Sequence, residues 1–107
     1  MGVSNVSNVT SQTFEKAANS TNGAVALTAN TSAVVLAANA NRVWATIVNN
    51  GATDATISFS ATATLANGVP IKANGGAFNI TQVEYWAGVV SAISTGAISL
   101  GFIEGSK

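Results

Sequence analysis

The chain is predicted to fold as an all-β domain: a compact β-sandwich or small jelly-roll-like barrel of about seven or eight short strands, behind an extended N-terminal arm. Three observations predict it. Short apolar runs alternate with period two, as in half-buried strands. Turn residues separate them at roughly ten-residue intervals, which is the rhythm of an all-β domain. Asn-Gly, whose two residues both tolerate positive φ, occurs at Asn22-Gly23, Asn50-Gly51, Asn67-Gly68 and Asn74-Gly75.

Residues 1–22 form the arm and residues 23–107 the β-domain. The arm is polar and lacks a strand-like run, but Val3, Val6 and Val9 are each separated by two small polar residues. A spacing of three matches polyproline II, with about three residues per turn, and would line the valines along one side. The segment is then either a tail whose spacing carries nothing or an arm that docks in a partner's groove. In the second case Val3, Val6, Val9 and Phe14 are its apolar anchors. Thr13–Ala18 has the composition for a single helical turn, which is marginal alone.

Strands follow at Ala24–Thr28, Ala33–Ala37, Arg42–Asn49, Ala55–Ser60, Val69–Lys72, Ala77–Ile80, Val89–Ser94 and Ala97–Glu104. In the first, Val25 and Leu27 share a face. Val43–Val48 is apolar on both sides, as suits a central strand or one beneath another chain. Ile57 and Phe59 point one way, with Thr56, Ser58 and Ser60 opposite. Pro70 has no amide to give a ladder, so its strand belongs at an edge. In the last strand Ile98, Leu100 and Phe102 share a face.

The chain has 107 residues, the size of one domain, and much of its apolar content is alanine. A modest core follows, with association supplying part of the stability. Only 7% of residues are charged and the net charge is zero, against about 25% in an ordinary soluble domain. That balance offers no electrostatic footprint for nucleic acid and none for an anionic membrane. No apolar run approaches the roughly 18 residues a membrane span needs. The N-terminus lacks a basic start and apolar h-region, so synthesis in the cytoplasm is expected.

Histidine and cysteine are absent. The commonest general base, the thiol nucleophile and the usual transition-metal ligands are therefore missing, and the expectation is a protein without catalytic residues, metal or cofactor. Of the four carboxylates (Glu15, Asp54, Glu84, Glu104), Glu84 stands beside Tyr85 and Trp86. A carboxylate next to flat rings suits a sugar face; an aromatic cluster that caps the sandwich or packs at a subunit contact explains the same residues. Trp44 fits core or interface. Arg42 has Glu84 and Glu104 as candidate partners.

Asn41-Arg42-Val43-Trp44-Ala45-Thr46-Ile47-Val48-Asn49-Asn50 resembles the opening strand of small virion proteins of tailed phages. Ala55–Ser60, Ala63–Ile71, the Asn74-Gly75-Gly76 turn into Ala77-Phe78, and the closing Gly88–Ser94 with Ile98–Leu100 are similar to the same family. The likeness spans about residues 41–104, and the N-terminal arm has no counterpart in it. It implies a head decoration, or cement, protein: a β-fold, commonly a homotrimer, that sits on the capsid surface of the virion, contacts the major capsid protein and braces neighbouring capsomers. Some relatives of this type belong to head fibres. The alternative from the residues themselves is a carbohydrate- or receptor-binding module of a fibre or adhesin.

Overall fold

A computed structural model describes residues 14–107. It contains β1 (Asn19–Leu27), β2 (Ala33–Leu36), β3 (Arg42–Asn49), β4 (Ala55–Ser58), β5 (Val69–Ile71), β6 (Gly76–Ile80), β7 (Val90–Ser94) and β8 (Ile98–Ser106), and no helix among those residues. The strands make two four-stranded antiparallel sheets, ordered β1-β8-β3-β6 and β2-β7-β4-β5.

The pairing follows a single rule. β1 pairs with β8, β2 with β7, β3 with β6 and β4 with β5. The chain is thus one long antiparallel hairpin of four strand pairs with its tip between β4 and β5. Folding that hairpin over brings β8 against β3 and β7 against β4. This wrapped hairpin is the jelly-roll connectivity, and its two separate sheets make the domain a β-sandwich.

The core lies between the sheets. Leu27, Leu100, Ala45, Ile47 and Ile80 face inward from one sheet; Leu36, Val90, Ala92, Ile57, Ala55 and Ile71 answer from the other. β3 is interior to its sheet, as its apolar faces suggest, and its burial alternates, with Val43, Ala45, Ile47 and Asn49 buried and Trp44, Thr46 and Val48 partly open on the outer face. Ile98 and Leu100 are buried on the shared face, with Phe102 packed against the same core. Pro70 sits in the middle of the edge strand β5.

Several expectations are corrected. The first strand begins at Asn19, inside the segment assigned to the arm. Asn19–Ala24 is exposed on both sides, so the run shows no apolar alternation, and backbone pairing to β8 holds it instead. Asn22-Gly23 is consequently mid-strand and not a turn. Gly23 is there for room: a Cβ would come within 2.9 Å of the Phe102 ring. Phe14–Ala18 is not helical, because long-range bonds hold it along the sandwich end. The Ala18 amide donates to the Ser106 carbonyl (2.9 Å), and Glu15 exchanges backbone bonds with the Gln82 side chain. Phe59 does not follow Ile57 into the core. β4 stops at Ser58, where the Ser58 and Ser60 hydroxyls bond each other at 2.8 Å and Ser60 donates to the Thr62 carbonyl (2.8 Å).

The other Asn-Gly pairs do mark ends of strands. Asn74 (φ 62°) and Gly75 (φ 111°) turn the chain from β5 into β6, and Gly68 (φ 136°) precedes β5. At Gly68 a Cβ would also lie 2.2 Å from the Ile57 carbonyl oxygen.

Asp54 ties the β3–β4 loop to the residues after β5. Its carboxylate accepts from the Ala73 amide (2.8 Å) and pairs with Lys72 at 3.2 Å. The Ala73 bond first, then Lys72, holds this carboxyl below its ordinary range. A carboxyl lowered in the folded state stabilises above its unfolded pKa and loses that contribution as pH falls through the folded one. Asp54→Asn should therefore lack this part of the acid loss: its melting temperature, followed from about pH 5 to about pH 2, should fall less steeply than that of the parent.

Candidate functional site

Among the described residues two surface features bring together residues with something to bind. The first is the end of the sandwich where β3 begins. Arg42 starts β3 with a side chain wholly removed from solvent. Its Nε donates to Glu104 at 2.5 Å; Nη1 donates to the carbonyls of Trp86 and Gly88, each 2.9 Å, and Nη2 to that of Ala37, 2.8 Å. Of the two candidate partners it is Glu104 that pairs. Glu84 lies exposed, its backbone closing a short turn with Thr81.

The planar guanidinium suits this task because its donors diverge in one fixed plane, reaching β8 and two loops at once. It pins the loop between β6 and β7, and with it both aromatic residues. The Tyr85 hydroxyl donates to the Arg42 carbonyl. Trp86 donates its indole N–H to the Val89 carbonyl (3.0 Å) and stacks on Phe59, with centroids 5.0 Å apart and planes within 3°. Phe59 meets Phe78 edge-on at 5.7 Å. Tyr85 is exposed beside an open cleft of about 320 Å³ lined by Glu15, Ala40, Arg42, Val43, Gln82 and Lys107.

The second feature is the outer face of the β1-β8-β3-β6 sheet. Register places Trp44 opposite Gly105, Thr46 opposite Ile103 and Val48 opposite Gly101 on this side, flanked by Asn22 and Ala24 of β1 and by Ala77 and Asn79 of β6. Gly105 is glycine because Trp44 lies across it: a Cβ there would be 2.5 Å from the indole. Trp44 is therefore an outer-face residue, half-buried on its neighbour strand. Gly101 makes a trough. Asn22, Thr46, Val48, Asn50, Phe102 and Ile103 line the rest of a shallow groove of about 520 Å³, with Ile103 exposed. No strand position facing outward on this sheet carries a charge.

The arm anchors expected from the sequence are Val3, Val6, Val9 and Phe14. Val3, Val6 and Val9 lie outside the described residues. Phe14, the first described residue, is exposed.

The structure thus groups Tyr85 and Trp86 with Arg42 and sets Trp44 on another surface. Sequence reasoning missed the role of Arg42 as the fixed point of that loop, the outward groove over Gly101, and the partnership of Phe59 with Trp86. The usable signal was Arg42 itself, since an arginine opening an apolar strand needs partners when buried. Among the described residues no three of His, Cys, Asp and Glu cluster in a way that holds a metal ion, and no helix is long and apolar enough to cross a membrane. Comparison with protein families, curated proteins and solved structures found no match.

Proposed function

We propose that the chain is a structural virion protein that binds the outside of a tailed-phage capsid and braces contacts between capsomers. The observation that carries this reading is the outer face of the β1-β8-β3-β6 sheet: four strands wide, free of charge, and troughed at Gly101 beside exposed Ile103. A surface of this kind can lie against another protein without burying an unpaired charge. The jelly roll is at home in viral capsid proteins, which is an analogy of fold and carries weight only beside the surface. The resemblance of residues 41–104 to small virion proteins points the same way.

The test is co-sedimentation of the full chain with intact heads of the phage that encodes it. The chain should pellet with the heads, and because the proposed contact is uncharged, pelleting should hold between low and high salt. Ile103→Glu places a charge at the groove while leaving an exposed position otherwise unchanged, so it should stay in the supernatant with an unaltered unfolding curve. A folded parent that ignores the heads, or an Ile103→Glu variant that pellets as the parent does, overturns the reading.

A carbohydrate-binding module is the second reading, favoured by the exposed ring of Tyr85 over the 320 Å³ cleft and by the use of jelly rolls in lectins. Trp86 contributes less to it than the sequence suggests, because its ring is already stacked on Phe59.

A further inference from the structure

An exposed sheet edge is a row of unpaired amides and carbonyls, and proteins blunt such rows with short strands, prolines, bulges or charges. Three of the four edges here are blunted. β2 has four residues and a register shift between Val34 and Leu36. β5 has three residues with Pro70 in the middle. β6 has five, and its first amide, that of Gly76, is turned back to the Lys72 carbonyl at 3.1 Å.

β1 has none of these devices. It is nine residues long, keeps register with β8 through nine consecutive pairs, and contains neither proline nor charge. From Ala17 to Asn41 the chain carries no charged residue at all. Nothing among the described residues pairs with its outer edge. The segment leading into it approaches from the far side: Glu15 is bonded to Gln82, just past β6, the opposite edge strand.

We infer that the β1 edge pairs with β1 of a second copy of this chain. Antiparallel pairing about a two-fold axis presents the same strand to itself, the commonest closed symmetry for a homo-oligomer. The register that uses all nine residues has its midpoint at Gly23, which sets Asn22 of one copy opposite Ala24 of the other. Both side chains are exposed and small, and no like charges meet along the strand. The two sheets then join into one of eight strands, with the groove over Gly101 repeated on either side of the axis. This inference does not rest on capsid binding, and the mass of the free protein tests it separately.

The experiment is light scattering of the full chain over a range of concentrations. The parent should be a dimer. Asn22→Lys with Ala24→Lys should weaken the dimer about tenfold or more, because like charges now sit directly across the seam twice. Mixing that variant with Asn22→Glu/Ala24→Glu should restore a dimer. The chain has no cysteine, so oxidation of a mixture of Asn22→Cys and Ala24→Cys chains reads the register directly: a disulfide-linked heterodimer should exceed either homodimer, whatever the lysines do to folding. A parent that stays monomeric, a dimer or a three-fold assembly indifferent to the lysines, or cross-linking no better in the mixture than in either variant alone, overturns it.

Discussion

Replacing Arg42 by methionine is expected to destabilise the fold by about 3–5 kcal/mol, the cost of breaking a buried ion pair from one side. For a domain whose whole stability is about 5–15 kcal/mol, that brings the chain close to unfolding. Methionine keeps much of the volume, so the loss is electrostatic and not a cavity effect. Glu104, only 14% exposed, would keep a carboxylate with its cation gone. The carbonyls of Ala37, Trp86 and Gly88 would lose their donors together. Removing both partners leaves no orphaned charge, so Arg42→Met/Glu104→Leu should cost less than the two single changes summed. Denaturant unfolding of the four proteins measures that coupling. In a Trp44→Phe background Trp86 is the one remaining indole. Its emission should shift to the red in the folded Arg42→Met protein, because the loop that holds it against Phe59 has lost its anchor. A loss below about 1 kcal/mol would mean that water replaces the guanidinium, as at a surface pair.

The fold class and the strands were legible because period-two burial is local: each apolar residue reports its own face. β3 matches residue for residue, and Pro70 locates an edge, since a missing amide is a property of one residue. Strand order was not legible. Of the four rungs of the wrapped hairpin only β4–β5 joins neighbours in the chain; β1–β8 joins its two ends, and nothing in Asn19–Leu27 names Ile98–Ser106 as its partner. The start of β1 was hidden for a related reason, because a strand end exposed on both faces has no alternation to read. Arg42 and the aromatic residues stood out by type, but their arrangement depends on loops brought together by the fold. That placed Trp86 on Phe59 and Trp44 on Gly105, contacts spanning 27 and 61 residues of sequence (86 − 59 and 105 − 44). The role of Asn49 was not legible either, because an asparagine that ends a strand reads the same whether its side chain is exposed or buried.

Asn49 carries the second large effect. It is fully buried at the end of β3. Its amide nitrogen donates to the carbonyls of Thr53 (2.8 Å) and Ile71 (3.1 Å), and its amide oxygen accepts from the Gly51 amide (2.9 Å). One side chain thus satisfies three backbone groups and joins β3 of one sheet to β5 of the other. Asn49→Leu keeps the volume and leaves all three without partners. At about 1–3 kcal/mol for each of the three unsatisfied groups, a loss of about 3–9 kcal/mol is expected. Asn49→Asp separates hydrogen bonding from packing. The carboxylate still accepts from Gly51, but its second oxygen faces two carbonyl oxygens that need a donor. The protonated acid supplies one, so the folded state should hold this proton to a higher pH than the unfolded chain, whose aspartates titrate near about 3.9. Between the two pKa values the folded state binds more protons, so stability falls as pH rises. Measured against the parent at each pH, which removes the opposite contribution of Asp54, the penalty of Asn49→Asp should therefore be smallest near about pH 3 and largest at neutral pH. A penalty that does not change with pH would mean that the new carboxylate has turned out to water and left the seam between the sheets unlatched.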